Sequence, residues 1–235
     1  ELVFNIISFY YQKGVIMIKF IDRLKDPGSA LTHFLAFILT LIAAVFLFSK
    51  AIGHRIGFPD MITFIIFIIS MLLLYAASTT YHSFNISKKI NTILRKIDHM
   101  MIFVLICGTY APVCLSVLGG RSGILLFCMV CGISLLGIFI NIFWINYPKW
   151  ISSVIYISLG WLCIFAIAKI MSSMTKISFM WLLVGGIIYT VGGVIYALKL
   201  KCFDKLNRYF GLHEIFHLFV MGGSFCHFML MYTLI

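Results

Sequence analysis

Acidic residues are scarce in this chain. Seven of its 235 residues are Asp or Glu, against 18 Lys and Arg, and charged residues of either sign make up 11% of the total. A soluble domain carries about a quarter. A water-facing shell cannot be assembled from this composition, so a bilayer must act as the solvent. The cysteines do not form a disulfide framework either. Cys107, Cys114, Cys128, Cys131, Cys163 and Cys226 all fall inside apolar runs, where cysteine behaves as a small hydrophobe. The Cys128-x-x-Cys131 pair has no second pair to complete a metal site. No nucleic-acid-binding module accompanies the net charge of +11, which is better explained by basic loops at anionic headgroups. Residues 1–16 resemble neither a signal peptide nor a full span, because Lys13 interrupts them. They are expected to be an upstream extension or an added remnant, or to lie along the membrane surface. A natural start is expected at Met17.

Apolar residues are plentiful, at 63% of the chain with a mean hydropathy of +1.10. A bilayer-crossing helix needs about 20 consecutive apolar residues. Seven runs qualify: 30–50, 61–84, 97–118, 122–143, 151–171, 178–199 and 212–234. The separators are short and carry the charges and breakers. Pro112 falls inside the third run, where a kink is expected. The fold class is therefore an all-α integral membrane protein, a seven-transmembrane helix bundle. Residues 1–28 form an N-terminal cytosolic or interfacial segment, and residues 29–235 form the membrane domain.

Lys and Arg set the direction. With the N-terminus cytosolic, thirteen of the 18 fall on the inner side, including Lys25, Lys88, Lys89, Arg95, Lys96, Lys199 and Arg208. Lys50, Arg55, Arg121, Lys169 and Lys176 fall outside. The C-terminus is then external.

The stretch "GLHEIFHLF" (211–219) opens the last span with two histidines and a glutamate, although ionisable groups in a membrane are costly and are usually functional. The predicted direction brings partners to the same depth. The second span ends inside with Ser78 and His82, four apart and on one face. The third starts inside with Asp98 and His99. His213 and His217, also four apart, share one face of the seventh, and His33 opens the first. Three neutral imidazoles can hold Zn2+ with one position left for water. Zinc lowers the pKa of that water to about 7. Asp98 is placed to take its proton, and Ser78 to hydrogen-bond a ligand or a developing oxyanion. Taken singly, His33 and His99 read as ordinary helix-end residues near headgroups. His54 lies in an outer loop. His227, ten residues past His217, lies ~15 Å along the axis, too far to share an ion, and an interhelical hydrogen bond is expected there. "HEIFH" is also literally H-E-x-x-H, the zinc-protease motif, with Glu214 as base.

Four motifs together resemble the hemolysin III family, bacterial relatives of the progestin and adipoQ receptors. They are "SALTH" in the first span, Ser78-x-x-x-His82 as "STTYH", "DHMMIFVLICGTYAP" in the third and "HEIFHLFVMGGSFCHF" in the seventh. The resemblance runs from about Ser29 to the end. It implies seven helices with a cytosolic N-terminus, in a bacterial inner or plasma membrane. It implies zinc on His82, His213 and His217, with Asp98 contacting the zinc-bound water. Glu214 has no part in the family's ligand motif. The resemblance is expected to extend neither to residues 1–16, which have no counterpart in the family, nor to the long cytosolic domain of the eukaryotic relatives. The activity the resemblance implies is zinc-dependent hydrolysis of a lipid amide or ester, as in ceramide hydrolysis, with a membrane lipid as substrate. The alternatives are a zinc-stabilised lipid sensor or, as the family name has it, a cytolytic or pore-forming protein. No polar stripe crosses the bilayer to line a pore.

Overall fold

The computed structural model describes residues 21–144, 148–200 and 206–235. The expectations for residues 1–16 and for Met17 lie outside these. Among the described residues the chain is helical, without strands, and seven helices are long and apolar enough to cross a membrane. We label these spans α1 (Pro27–Gly53), α2 (Phe58–Ser83), α3 (Lys88–Leu118), α4 (Gly120–Phe143), α5 (Trp150–Ser172), α6 (Lys176–Leu198) and α7 (Leu212–Leu234). Their outer faces carry Phe34, Val45, Phe46, Leu135, Leu136 and Phe139, all well exposed and fit only for lipid.

Local chemistry sets the helix starts. Pro27 and Pro59 stand in first turns, where a missing N–H costs nothing. Ser87 and Thr175 cap α3 and α6, accepting from the Ile90 and Ser178 amides at 3.3 and 3.1 Å. Several starts precede the hydropathy reading, the first at Pro27 rather than 30. The second helix begins three residues early and takes Asp60 into its first turn, where the helix dipole favours an anion. The third begins at Lys88 rather than 97. Lys and Arg are good helix formers, so the helix continues into the interfacial zone where hydropathy has already fallen. Asp98 and His99 consequently lie about three turns in, not at the helix mouth.

Two spans are not regular throughout. The expected kink at Pro112 takes the form of a π-helical stretch, Pro112–Leu118. Proline has no N–H for the i−4 carbonyl and its ring crowds it, and a wider turn relieves both. In α5 the residues Trp161–Ala166 are a 3-10 segment. Here the Tyr110 hydroxyl of α3 enters the ladder, accepting from the Cys163 amide at 2.9 Å and donating to the Gly160 carbonyl at 2.7 Å.

Helices α1, α2, α3, α5, α6 and α7 pack in succession into a ring that closes between α7 and α1, and α4 lies outside against α3. The ring encloses a cavity of about 380 Å3 to which α4 contributes no residue. Leu74, Leu105, Ile106, Val113, Phe179 and Val220 make its wall mostly apolar. The polar residues His33, Ser78, Arg95, Asp98, His99, His213 and His217 gather at one end.

Candidate metal centre

At that polar end His82, from the last turn of α2, meets His213 and His217, from the first two turns of α7. One nitrogen of each lies within 4.8 Å of the other two. His82 Nε2 and His213 Nε2 are 3.2 Å apart. Nitrogens bound ~2.0–2.1 Å from one ion at tetrahedral angles stand roughly 3.3 Å apart, so this pair already has the separation an ion requires. His217 closes the triangle, its ring centroid 4.4 Å from that of His213 and 5.3 Å from that of His82.

The outward nitrogens of two of these rings are held. His82 Nδ1 donates to Asp26 Oδ2 at 2.9 Å. Asp26 occupies the N-cap position of α1 but makes no cap hydrogen bond with its side chain; its carboxylate turns to His82 instead. Its backbone amide also donates to the His82 carbonyl at 2.9 Å. The bond from His82 holds the Asp26 carboxyl below the usual carboxylate range, with partial burial opposing and Lys25, 3.5 Å away, assisting. His217 Nδ1 lies 3.2 Å from Thr32 Oγ1. That hydroxyl already donates to the Gly28 and Ser29 carbonyls, so the imidazole is the donor. With Nδ1–H committed in both rings, each Nε2 presents a lone pair. The His82 lone pair faces His213 Nε2 across 3.2 Å, a gap that an Nε2–H of His213 or a shared cation fills. Metal-ligating histidines are commonly oriented in this way by an outer carboxylate or hydroxyl.

Asp98 and Ser78 line the same end of the cavity and are buried. The Ser78 hydroxyl lies beside the Asp98 carboxylate without hydrogen-bond geometry. His99 also reaches the cavity, while its carbonyl accepts from Tyr156 at 3.3 Å. His54 is exposed and lies on the loop after α1, as read. His227 lines the cavity well beyond the three histidines. Its ring packs edge-on to Tyr189 and against Gly185, beside the Leu182 carbonyl. The expected interhelical bond is a packing contact, outside hydrogen-bond geometry.

A family model described as Haemolysin-III related matches residues 21–228. The chain belongs to that family. It is 38% identical over 200 residues to a protein named Hemolysin-3 homolog of Bacillus subtilis, covering 85% of this chain and 89% of that one. It is 34% identical over 200 residues to Hemolysin-3 of Bacillus cereus, covering 85% and 87%. A stretch of 56 residues, 23% of this chain and 18% of the other, is 32% identical to an ADIPOR-like receptor of Saccharomyces cerevisiae. With its seven apolar helices, this haemolysin III-related chain is a multi-pass membrane protein.

The H-E-x-x-H reading does not survive the geometry. Glu214 Oε2 accepts from the Gly211 amide at 2.8 Å, and Oε1 accepts from the Ser29 hydroxyl of α1. The carboxylate caps α7 and ties it to α1, leaving no oxygen directed at the histidines. Reading the sequence missed Asp26 and Thr32. "DPG" signals a helix start and "SALTH" an interfacial turn, but neither shows that the side chains reach histidines 56 and 185 residues away.

Proposed function

We propose that this haemolysin III-related protein is a zinc-dependent hydrolase of a lipid amide or ester. The observation that carries the reading is the convergence of three imidazole nitrogens at the head of a largely apolar cavity, with Asp98 and Ser78 in its wall. Three imidazole donors, two of them with committed outer nitrogens, suit Zn2+, which accepts imidazole in a tetrahedral site. His82, His213 and His217 would hold it. When bound, zinc supplies Lewis acidity and makes a water at its open position acidic.

The chain's own residues account for the rest. The apolar wall takes up an acyl chain that enters laterally from the bilayer, leaving the amide or ester at the polar end. Asp98 accepts the proton of the attacking water and returns it to the leaving amine or alcohol, so that the products are a fatty acid and that amine or alcohol. Ser78 donates to the oxygen that becomes negative as the carbonyl carbon turns tetrahedral. The bias of Lys and Arg supports a position for this end of the cavity in the cytosolic leaflet of the plasma membrane.

The test begins with elemental analysis of detergent-purified protein, comparing wild type with the His213→Ala/His217→Ala double variant. About one zinc per chain, lost in the variant, is expected. Hydrolysis of ceramide and other long-chain N-acyl amides should then depend on Asp98. A folded, chelator-free wild type without zinc would end the reading. Zinc with no turnover of any lipid amide or ester would point instead to a metal-pinned lipid sensor.

A further inference from the structure

His33 stands at the polar end but outside the group of three that could hold the ion. It is 3% exposed, and neither ring nitrogen has a hydrogen-bond partner. An imidazole buried in that condition is costly. Buried polar atoms are satisfied in the great majority of proteins, and exceptions call for a reason. Its neighbours explain why no protein partner is found. One face stacks on His217, with centroids 3.6 Å apart and planes 6° from parallel. Tyr75 meets it edge-on at 5.1 Å. His33 is also among the residues that line the cavity, with Ser78, Asp98, His213 and His217.

The stacking also excludes the simplest alternative, that His33 is a fourth ligand. Its nitrogens do not converge with those of the three histidines, which group without it. The parallel arrangement instead sets the His33 plane one ring's thickness from the plane in which His217 reaches the ion. An oxygen acceptor held beside the stacked rings would supply the hydrogen-bond partner that the protein does not give His33. We infer that His33 is a ligand-contact residue, donating a hydrogen bond to the carbonyl or carboxylate oxygen of an acyl compound whose chain fills the cavity. The class of ligand follows from the site: an oxygen acceptor at the polar end and an unbranched apolar tail along the Leu105, Val113 and Val220 wall. The inference rests on the metal-centre reading, so its test must report on metal and ligand separately.

The probe is dodecanoate, titrated into Co2+-substituted protein in detergent and followed by the visible absorption of the cobalt. Metal content is measured on the same samples. In the wild type, dodecanoate should shift the cobalt spectrum saturably. His33→Phe keeps a stacking ring and removes both nitrogens. It should retain one metal per chain and the ligand-free spectrum, but bind dodecanoate at least tenfold more weakly. His33→Gln, which retains a donor, should recover part of that loss and guards against a folding defect in the Phe variant. Full metal content with unchanged dodecanoate affinity in both variants would overturn the role of His33 and leave the metal centre standing. Loss of metal from a folded His33→Phe would overturn it in favour of a part in holding the ion. A wild type that takes up no metal would remove the reading on which the inference depends.

Discussion

Asp26 and His82 are bound to each other twice, Nδ1 to Oδ2 at 2.9 Å and the Asp26 amide to the His82 carbonyl at 2.9 Å. The segment leading into the first helix is thereby clamped to the end of the second, and His82 keeps its Nε2 turned toward His213. Asp26→Ala should leave the fold intact and weaken metal binding about 10–100-fold, the usual effect of removing such an outer partner. Competition against a chromophoric chelator measures it. An unchanged affinity would mean that packing alone orients His82.

Glu214 makes the opposite prediction. Because its oxygens serve the Gly211 amide and Ser29, Glu214→Gln should retain both zinc and whatever hydrolysis the wild type shows. Glu214→Ala should lower thermal stability by about 1–2 kcal/mol through the lost cap. A loss of turnover beyond a hundredfold in Glu214→Gln, with zinc retained, would restore the metalloprotease-like role that the geometry removes.

Tyr110→Phe tests the break in α5. The substitution removes the acceptor of the Cys163 amide and the donor to the Gly160 carbonyl. Neither group has water to turn to in this apolar setting. A destabilisation of about 1–3 kcal/mol is expected from the groups left unsatisfied, visible as a lower Tm in detergent, with metal content unchanged. A Tm equal to that of wild type would show that the 3-10 segment is set by its own sequence.

Gly28, in the first turn of α1, lies tight against the start of α7 and the residues just before it. A Cβ there would stand 1.9 Å from the Tyr209 carbonyl oxygen and 2.9 Å from the Glu214 Cγ. Gly28→Ala should therefore cost about 1–3 kcal/mol and, by pushing Thr32 away from His217, also reduce zinc occupancy. Thermal unfolding and metal analysis of one preparation give both readouts. Normal occupancy in a destabilised variant would separate the helix contact from the metal site.

Much of the membrane architecture was legible in order alone. Seven apolar runs separated by charged loops became seven helices, because hydrocarbon leaves the backbone few ways to satisfy its own hydrogen bonds. Histidines four apart, such as His213 and His217, share a helix face by geometry. Where the reading erred, it followed hydropathy too literally. The third helix extends inward through Lys88, Lys89, Arg95 and Lys96, since helix formation does not stop where the bilayer core does. His227, read as an interhelical hydrogen bonder, is a packed cavity wall.

Composition and periodicity, acting locally along the chain, thus determined the solvent, the number of spans and which side chains share a helix face. Which helices meet was decided only in three dimensions. Asp26 on His82, Thr32 on His217, Ser29 on Glu214 and Tyr110 within α5 are contacts between spans, set by the closing of the ring and the close approach that Gly28 permits. No local rule contains them, because the free energy that selects them belongs to the packed bundle and not to any one segment.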